Sequence, residues 1–238
     1  MGQEQLKTEF QGEYYNGKAW NGTLKEYRGR NLTFEGKLLN GQKNGIEKKY
    51  DKKGFLEFEG EYKDGKIIKG KEYYHGSLEF EGEYSDEKRN GPGKEYYYDG
   101  ELEFVGKYLN GKRNGLGKEY HKNGKLRFEV EYLNGEINGK IKEYYDNGIL
   151  KIDGEYLNGK LYGKVKEFYS NGNLQFDGEY LNGKLYGKVK EFYSNDNLKF
   201  DGEYLNGEKH GKIKSFYESG NLEFEGEYLN GEKHGKVK

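Results

Sequence analysis

Residues 176–199 read FDGEYLNGKLYGKVKEFYSNDNLK, and the fold is decided by what alternates within this stretch and what repeats beyond it. Along the first phrase Phe176, Gly178 and Tyr180 fall on one side and Asp177 and Glu179 on the other, the period of two expected of a half-buried strand. Asn182-Gly183 follows. Both residues accept the left-handed backbone of a two-residue hairpin turn. The second phrase puts Val189, Glu191 and Tyr193 on one side and Lys188, Lys190 and Phe192 on the other, so both faces carry an aromatic ring. The stretch predicts a β-hairpin.

The same hairpin recurs in both directions. Its first aromatic position returns at Phe10, Phe34, Phe58, Phe80, Phe104, Phe128, Ile152, Phe176, Phe200 and Phe224, always 24 residues apart except for the 22 between Phe58 and Phe80. The two missing residues align after Gly65 and before Gly76, in turns, where deletions are tolerated. Asn-Gly returns at Asn110, Asn134, Asn158, Asn182, Asn206 and Asn230. In Leu222-Glu223-Phe224-Glu225-Gly226-Glu227-Tyr228, strict alternation places Leu, Phe, Gly and Tyr together, opposite three glutamates. Residues 1–238 therefore read as one continuous array of about ten copies. Stacked edge to edge, each copy advances about 9.5 Å, and the expected fold is all-β, an elongated, twisted, single-layer antiparallel sheet on the order of 90 Å long. First-strand Glu residues then stand beside second-strand Lys residues as cross-strand ion pairs.

Composition favours this thin architecture over a globule. Hydrophobic residues make up 32% and charged residues 35%, with a mean hydropathy of -1.22, too polar for a large central core. Order comes from 25 Tyr and 13 Phe, whose burial offsets chain entropy, and from 39 Gly against one Pro, the balance of strands punctuated by turns. Lys plus Arg numbers 41 and Asp plus Glu 42, so a net charge of -1 gives no whole-chain field for nucleic acid. The absence of cysteine removes disulfides, thiolate metal sites and cysteine nucleophiles, and suits a reducing compartment. With no leader-like start at MGQEQLKTEF and no long apolar run, the expectation is a cytoplasmic protein. Met1-Gly2 invites N-myristoylation, but Leu6 stands where that motif needs Ser or Thr.

The phrase FVGKYLNGKRNGLGKEY at residues 104–120 resembles the MORN repeat, the membrane occupation and recognition nexus, and the likeness extends over nearly the whole chain. The trailing Tyr145-Asp146-Asn147-Gly148-Ile149-Leu150 is more similar to the variant found in bacterial antitoxin-like MORN proteins. The resemblance implies an extended antiparallel sheet with a Gly-and-aromatic groove, used for protein contacts, self-association and sometimes membrane lipid, and it brings no catalytic residues. Several positions depart from the pattern. The first copy has an extra residue between Gly17 and Gly22 and lacks the usual spacing from Gly29 to Leu32, so it reads as a degenerate cap. Glu87, Val130 and Asp196 replace expected glycines, and local ladder irregularities are expected there. The tenth copy is incomplete at Lys238, leaving an edge at which a second subunit can pair to form a homodimer through terminal repeats.

Candidate chemistry is sparse. His210 and His234 recur in Glu-Lys-His-Gly turns, but positions one copy apart lie about 9.5 Å from each other, too far to share a metal; His75 and His121 stand alone. Gly207 to Lys212 fails as a phosphate loop, with three residues between its glycines and Ile213 where Ser or Thr is needed. Asn21-Gly22-Thr23 and Asn31-Leu32-Thr33 are chance glycosylation sequons. Carboxylates repeat in solvated columns and none is singled out as an acid or base. The reading is therefore of a non-catalytic scaffold without metal or cofactor. Its candidate binding surface is the tyrosine ladder of Tyr132, Tyr156, Tyr180, Tyr204 and Tyr228, with Tyr145, Tyr169, Tyr193 and Tyr217 from the second strands. The bland alternative is that these rings only pack against one another. A carbohydrate- or choline-binding array is suggested by residues 93–100, GKEYYYDG, but such arrays lean on Trp and only Trp20 is present. Membrane lipid is a third partner, against which stands the lack of a basic cluster.

Overall fold

The computed structural model describes residues 6–235. Among these there is no helix, and 21 strands form one antiparallel sheet in which strands adjacent in sequence are paired. By internal contact the chain divides into two compact units, Met1–Arg113 and Asn114–Lys238. The Met1-Gly2 start considered for acylation and the Lys238 end of the incomplete copy lie outside the described residues. The Asn-Gly turns take the conformation their sequence requires, as at Asn182 (φ 54°) and Gly183 (φ 78°). The shortened copy closes through His75-Gly76, with Tyr74 paired to Ser77, so one deletion falls in a turn; the other lies inside the second strand between Ile67 and Gly70, where it shortens the bulge opposite Glu61.

Simple alternation fails in each hairpin, first just ahead of the Phe position. Phe200 pairs with Glu191 and Leu198 with Phe192, leaving Lys199 as an extra residue. Cross-strand partners share a face, so the bulge carries Leu198 to the side of Phe192 and away from Phe200. Leu222 is displaced in the same way, paired with Phe216 while Phe224 pairs with Ser215. The expectation that Leu, Phe, Gly and Tyr share one face is corrected accordingly: Leu lies on the charged side, because a one-residue slip reverses the face. A second bulge recurs near the Asn-Gly turn. Glu179 pairs with Tyr186 and Asp177 with Lys190, so residues 187–189 stand opposite Gly178 alone. The irregularities thus belong to the repeat itself and are not confined to Glu87, Val130 and Asp196. Glu87 and Asp196 hold turn backbone at φ 61° and 67°.

The ring face carries Phe176, Gly178, Tyr180, Leu185, Val189 and Glu191 in the copy described above. Its centre is a column in which nearly every cross-strand pair contains a glycine: Leu24 with Gly36, Glu47 with Gly60, Gly70 with Gly82, Gly117 with Val130, Ile141 with Gly154, Val165 with Gly178 and Val189 with Gly202. Val130 departs from the sequence pattern: the preceding strand supplies the glycine, Gly117, while on its other side Val130 faces Ile141, side chain to side chain. Over Gly36, Gly60, Gly82, Gly178, Gly202 and Gly226 lies the Phe two residues earlier. A Cβ on Gly178 would sit 2.6 Å from the Phe176 ring and 3.0 Å from Val189 Cγ2. In the second unit Val165, Phe176, Val189, Phe200 and Ile213 are buried, with Leu161, Leu185, Tyr180 and Tyr204 packed against them. In the first unit, Phe80 and Phe104 are fully buried even though their column is glycine on both strands at Gly82 and Gly93. Arginines cover them: the Arg89 guanidinium lies 3.9 Å from the Phe80 ring and that of Arg113 4.0 Å from Phe104.

Successive copies are tied at both margins. Several turn glycines donate their N–H to a carbonyl one copy earlier, Gly183 to Leu161 at 3.0 Å and Gly207 to Leu185 at 2.9 Å. On the opposite margin Asn147 donates to the Ser170 carbonyl at 2.8 Å and Asn171 to that of Ser194 at 3.0 Å.

Two substitutions test the column from opposite directions. Gly178→Ala forces a methyl against Phe176 and should lower unfolding free energy by about 1–3 kcal/mol in denaturant titration. Glu47→Val should raise it. Glu47 is 1% exposed, Lys43 satisfies its Oε2 at 2.7 Å, and its Oε1 has no partner. Burial pushes this carboxyl above the usual 4.5, although Lys43 pulls it down. With the folded value above the unfolded one, the associated stability is complete below pH 4.5 and lost as pH rises through the folded value. The variant, which installs the residue found at 165 and 189, should therefore gain about 1–3 kcal/mol at neutral pH and less in acid.

Candidate functional site

The face opposite the rings carries two rows of charge. In the first unit one row runs Glu35, Lys48, Glu59, Lys71, Glu81, Lys94 across paired strands, each charge facing its opposite. Lys48–Glu59 stand 3.6 Å apart and Lys94–Glu81 3.1 Å; in the second unit Lys190–Asp201 are 3.7 Å and Lys214–Glu225 3.1 Å apart. These are the cross-strand pairs expected from the sequence. Each is partly exposed and contributes little alone, but together they cancel the charge of the face.

Within the first unit this face holds a groove of about 420 Å³. Its walls are Glu59, Glu61, Lys69, Lys71, Glu81, Glu83 and Lys94, and Gly60, Gly70, Gly82 and Gly93 line it from below. Three apolar residues interrupt the charged rows: Ile46, Pro92 and Val105. Val105 pairs with Lys94, the place held by an acid in Lys190–Asp201, while Pro92 and Ile46 hold second-strand positions equivalent to Lys188 and Lys212. Proline is tolerated inside the sheet because residues 90–92 fall in the second bulge, where the preceding strand offers no partner. Ile46 is 51% exposed. The groove was not found from the sequence. Its signal was there, as three apolar residues in columns that are charged in most other copies.

The predicted tyrosine ladder lies partly inside the fold. Tyr132 is buried and its hydroxyl donates to Glu119; Tyr156, Tyr180, Tyr204 and Tyr228 are half-buried. From the second strands, Tyr145, Tyr169 and Tyr193 donate to the carbonyls of Phe168, Phe192 and Phe216 at 2.8, 2.9 and 2.9 Å, each binding the next copy. Tyr217 is exposed. By contrast Tyr162 and Tyr186, absent from the sequence-based set, are about as exposed, at 40% and 42%, and lie on the charged face opposite Glu155 and Glu179.

Beneath the rings runs a column of second-strand glutamates. Glu72 accepts from Tyr84 and pairs with Arg89 at 2.5 Å; burial opposes its charge, but Arg89 and Tyr84 hold it below the usual carboxylate range. Glu95 accepts from Tyr108 at 2.6 Å and from Arg113. In the second unit Lys151 reaches Glu143 at 2.7 Å and Lys199 reaches Glu191 at 3.0 Å. Histidines form no such set: His121 contacts Asp146 at 3.1 Å, and among the described residues no three His, Asp or Glu side chains converge on a metal position.

Phenols on both faces resist ionisation. Burial, then a neighbouring carboxylate, pushes Tyr50, Tyr96 and Tyr144 from 10.0 up to about 12, the carboxylates being Glu35, Glu81 and Glu129. Burial with the fields of Glu87 and Glu47 does the same to Tyr62. The fold favours the neutral phenol, so the stability it lends is intact below pH 10 and lost as pH rises through about 12. Thermal melts should accordingly show a falling Tm between these values, with phenolate absorbance appearing later in the folded protein than in the denatured chain.

No curated protein matches the chain. A family model described as the MORN repeat variant matches residues 113–134, 137–158, 161–182, 185–206 and 209–230, with starts 24 residues apart, the period read from the aromatic positions. The hairpins with their Asn-Gly turns and bulged second strands occupy those same residues, and residues 113–230 are five tandem repeats of the MORN variant type.

Proposed function

We propose that this chain is a non-catalytic scaffold that binds a partner protein through the groove on the charged face of its first unit. The observation that carries this reading is the interruption of the alternating Glu and Lys rows by Pro92, Val105 and Ile46. Lone exposed apolar residues need no explanation, but three lining one groove of about 420 Å³ favour a partner that buries them. The surrounding charges alternate in sign, which suits a polypeptide with both acidic and basic side chains and gives no basic cluster for lipid headgroups. The family is consistent with a scaffold or binding role. On the ring face, the ladder hydroxyls of Tyr132, Tyr145, Tyr169 and Tyr193 are occupied by internal hydrogen bonds, and the groove is favoured over the tyrosine ladder as the docking surface.

The test restores the charged pattern. Pro92→Lys with Val105→Glu installs residue types that equivalent positions already carry, so the circular dichroism of the double variant should be unchanged. Proteins captured from the native source by the wild-type chain should be lost by the variant. Identical capture by both would remove the groove from consideration.

A further inference from the structure

The glutamate column of the ring face draws its cations from two places. One is the second residue after each Asn-Gly-type turn, occupied by Arg89 and Arg113, whose guanidiniums lie between ring and carboxylate. Lys209 holds the same place in a later copy and lies 5.1 Å from the centre of the Phe200 ring. The other is the bulge residue before the Phe position. Lys151 and Lys199 hold that place and reach Glu143 and Glu191.

Glu167 has neither. The turn positions on its two sides are Leu161 and Leu185, and the bulge position is Gln175. Among the described residues Glu167 makes no ion pair and no side-chain hydrogen bond. It faces Phe176 across the strands and is half-buried, and burial pushes its carboxyl above the usual range despite the distant pull of Lys151. A carboxylate kept in that setting without a counter-charge is costly, and exchanging Gln175 for lysine would remove the cost. The neighbouring copies also show that the place is open to water. Lys151 and Lys199 leave 40% and 48% of their side chains exposed, and the Lys151 ammonium lies 5.8 Å from the Tyr145 ring centre. Tyr169 stands in the same relation to Glu167 as Tyr145 to Glu143, with its hydroxyl fixed on Phe192.

We infer that Glu167, with Tyr169 and Gln175 beside it, is a receptor site for an alkylammonium group, supplied by a lysine side chain of a partner protein. The incoming ammonium takes the place that Lys151 and Lys199 occupy for Glu143 and Glu191. Its stem lies along the Tyr169 ring, where a cation over an aromatic face is further stabilised. This rests on the reading of the chain as a protein-binding scaffold, but the site belongs to the ring face of the second unit and is tested without the groove.

The experiment follows the side-chain carboxyl carbon of Glu167 by NMR in the full chain, assigned by its loss in Glu167→Gln. The probes are N-acetyl-lysine methylamide, its Nε-acetylated analogue, butylamine, and a Gly-Gly-Lys-Gly-Gly amide. Both lysine probes should shift the resonance saturably and lower its titration midpoint, and the acetylated analogue should not. In Gln175→Lys the resonance should already sit at the ionised position with a lowered midpoint, and the lysine probes should no longer move it. A wild-type resonance indifferent to the lysine probes, or a Gln175→Lys protein that responds like wild type, overturns the proposal. A response to butylamine with none to the pentapeptide overturns a protein lysine as the source. Loss of capture in the Pro92→Lys, Val105→Glu protein bears only on the groove.

Discussion

One steric condition organises the ring face: among the described column pairs, at least one of two facing residues lacks a side chain, except where Val130 meets Ile141. A sheet one layer thick has no second layer to close over its apolar residues, so closure has to come from within the face. Phe folded over glycine provides it. Gly178 makes room for the Phe176 ring and for Val189, and the next copy repeats the arrangement with Gly202, Phe200 and Ile213. Which strand gives the glycine does not matter, as Gly117 facing Val130 demonstrates.

That condition is met with two different chemistries. In the second unit Val165, Val189 and Ile213 fill the column and Leu161 and Leu185 flank it, giving an apolar strip. In the first unit the column is glycine on both strands at Gly70 and Gly82, and Arg89 with Glu72 and Glu95 closes the face by charge and cation–π contact. The exchange has a cost and a consequence. Buried ion pairs contribute less than their Coulomb attraction because both partners are desolvated, yet they specify geometry closely, and a copy that loses its cations keeps an exposed need for one. Glu167 is such a copy, set among leucines that satisfy the packing and not the charge.

The charged face obeys a different logic. Its pairs are near neutral in sum and weak singly, so residues there change without unfolding the sheet, and recognition can be written on it. Ile46, Pro92 and Val105 occupy places where Lys and acidic residues otherwise stand, and the recurrent bulge even admits a proline into a central strand.

The sequence by itself determined the hairpins, their period, the Asn-Gly turns and the cross-strand charge pairing, because these depend on contacts a few residues apart or one copy away. It did not determine the face of each leucine. A bulge is a property of two strands in register, and strict alternation on one strand cannot reveal that Lys199 is an extra residue. Nor did it locate the groove or isolate Glu167. Those features require knowing which positions of separate copies lie side by side, and only the paired strands bring Val105 to Lys94 or leave Glu167 facing Phe176 with Gln175 where a lysine would neutralise it.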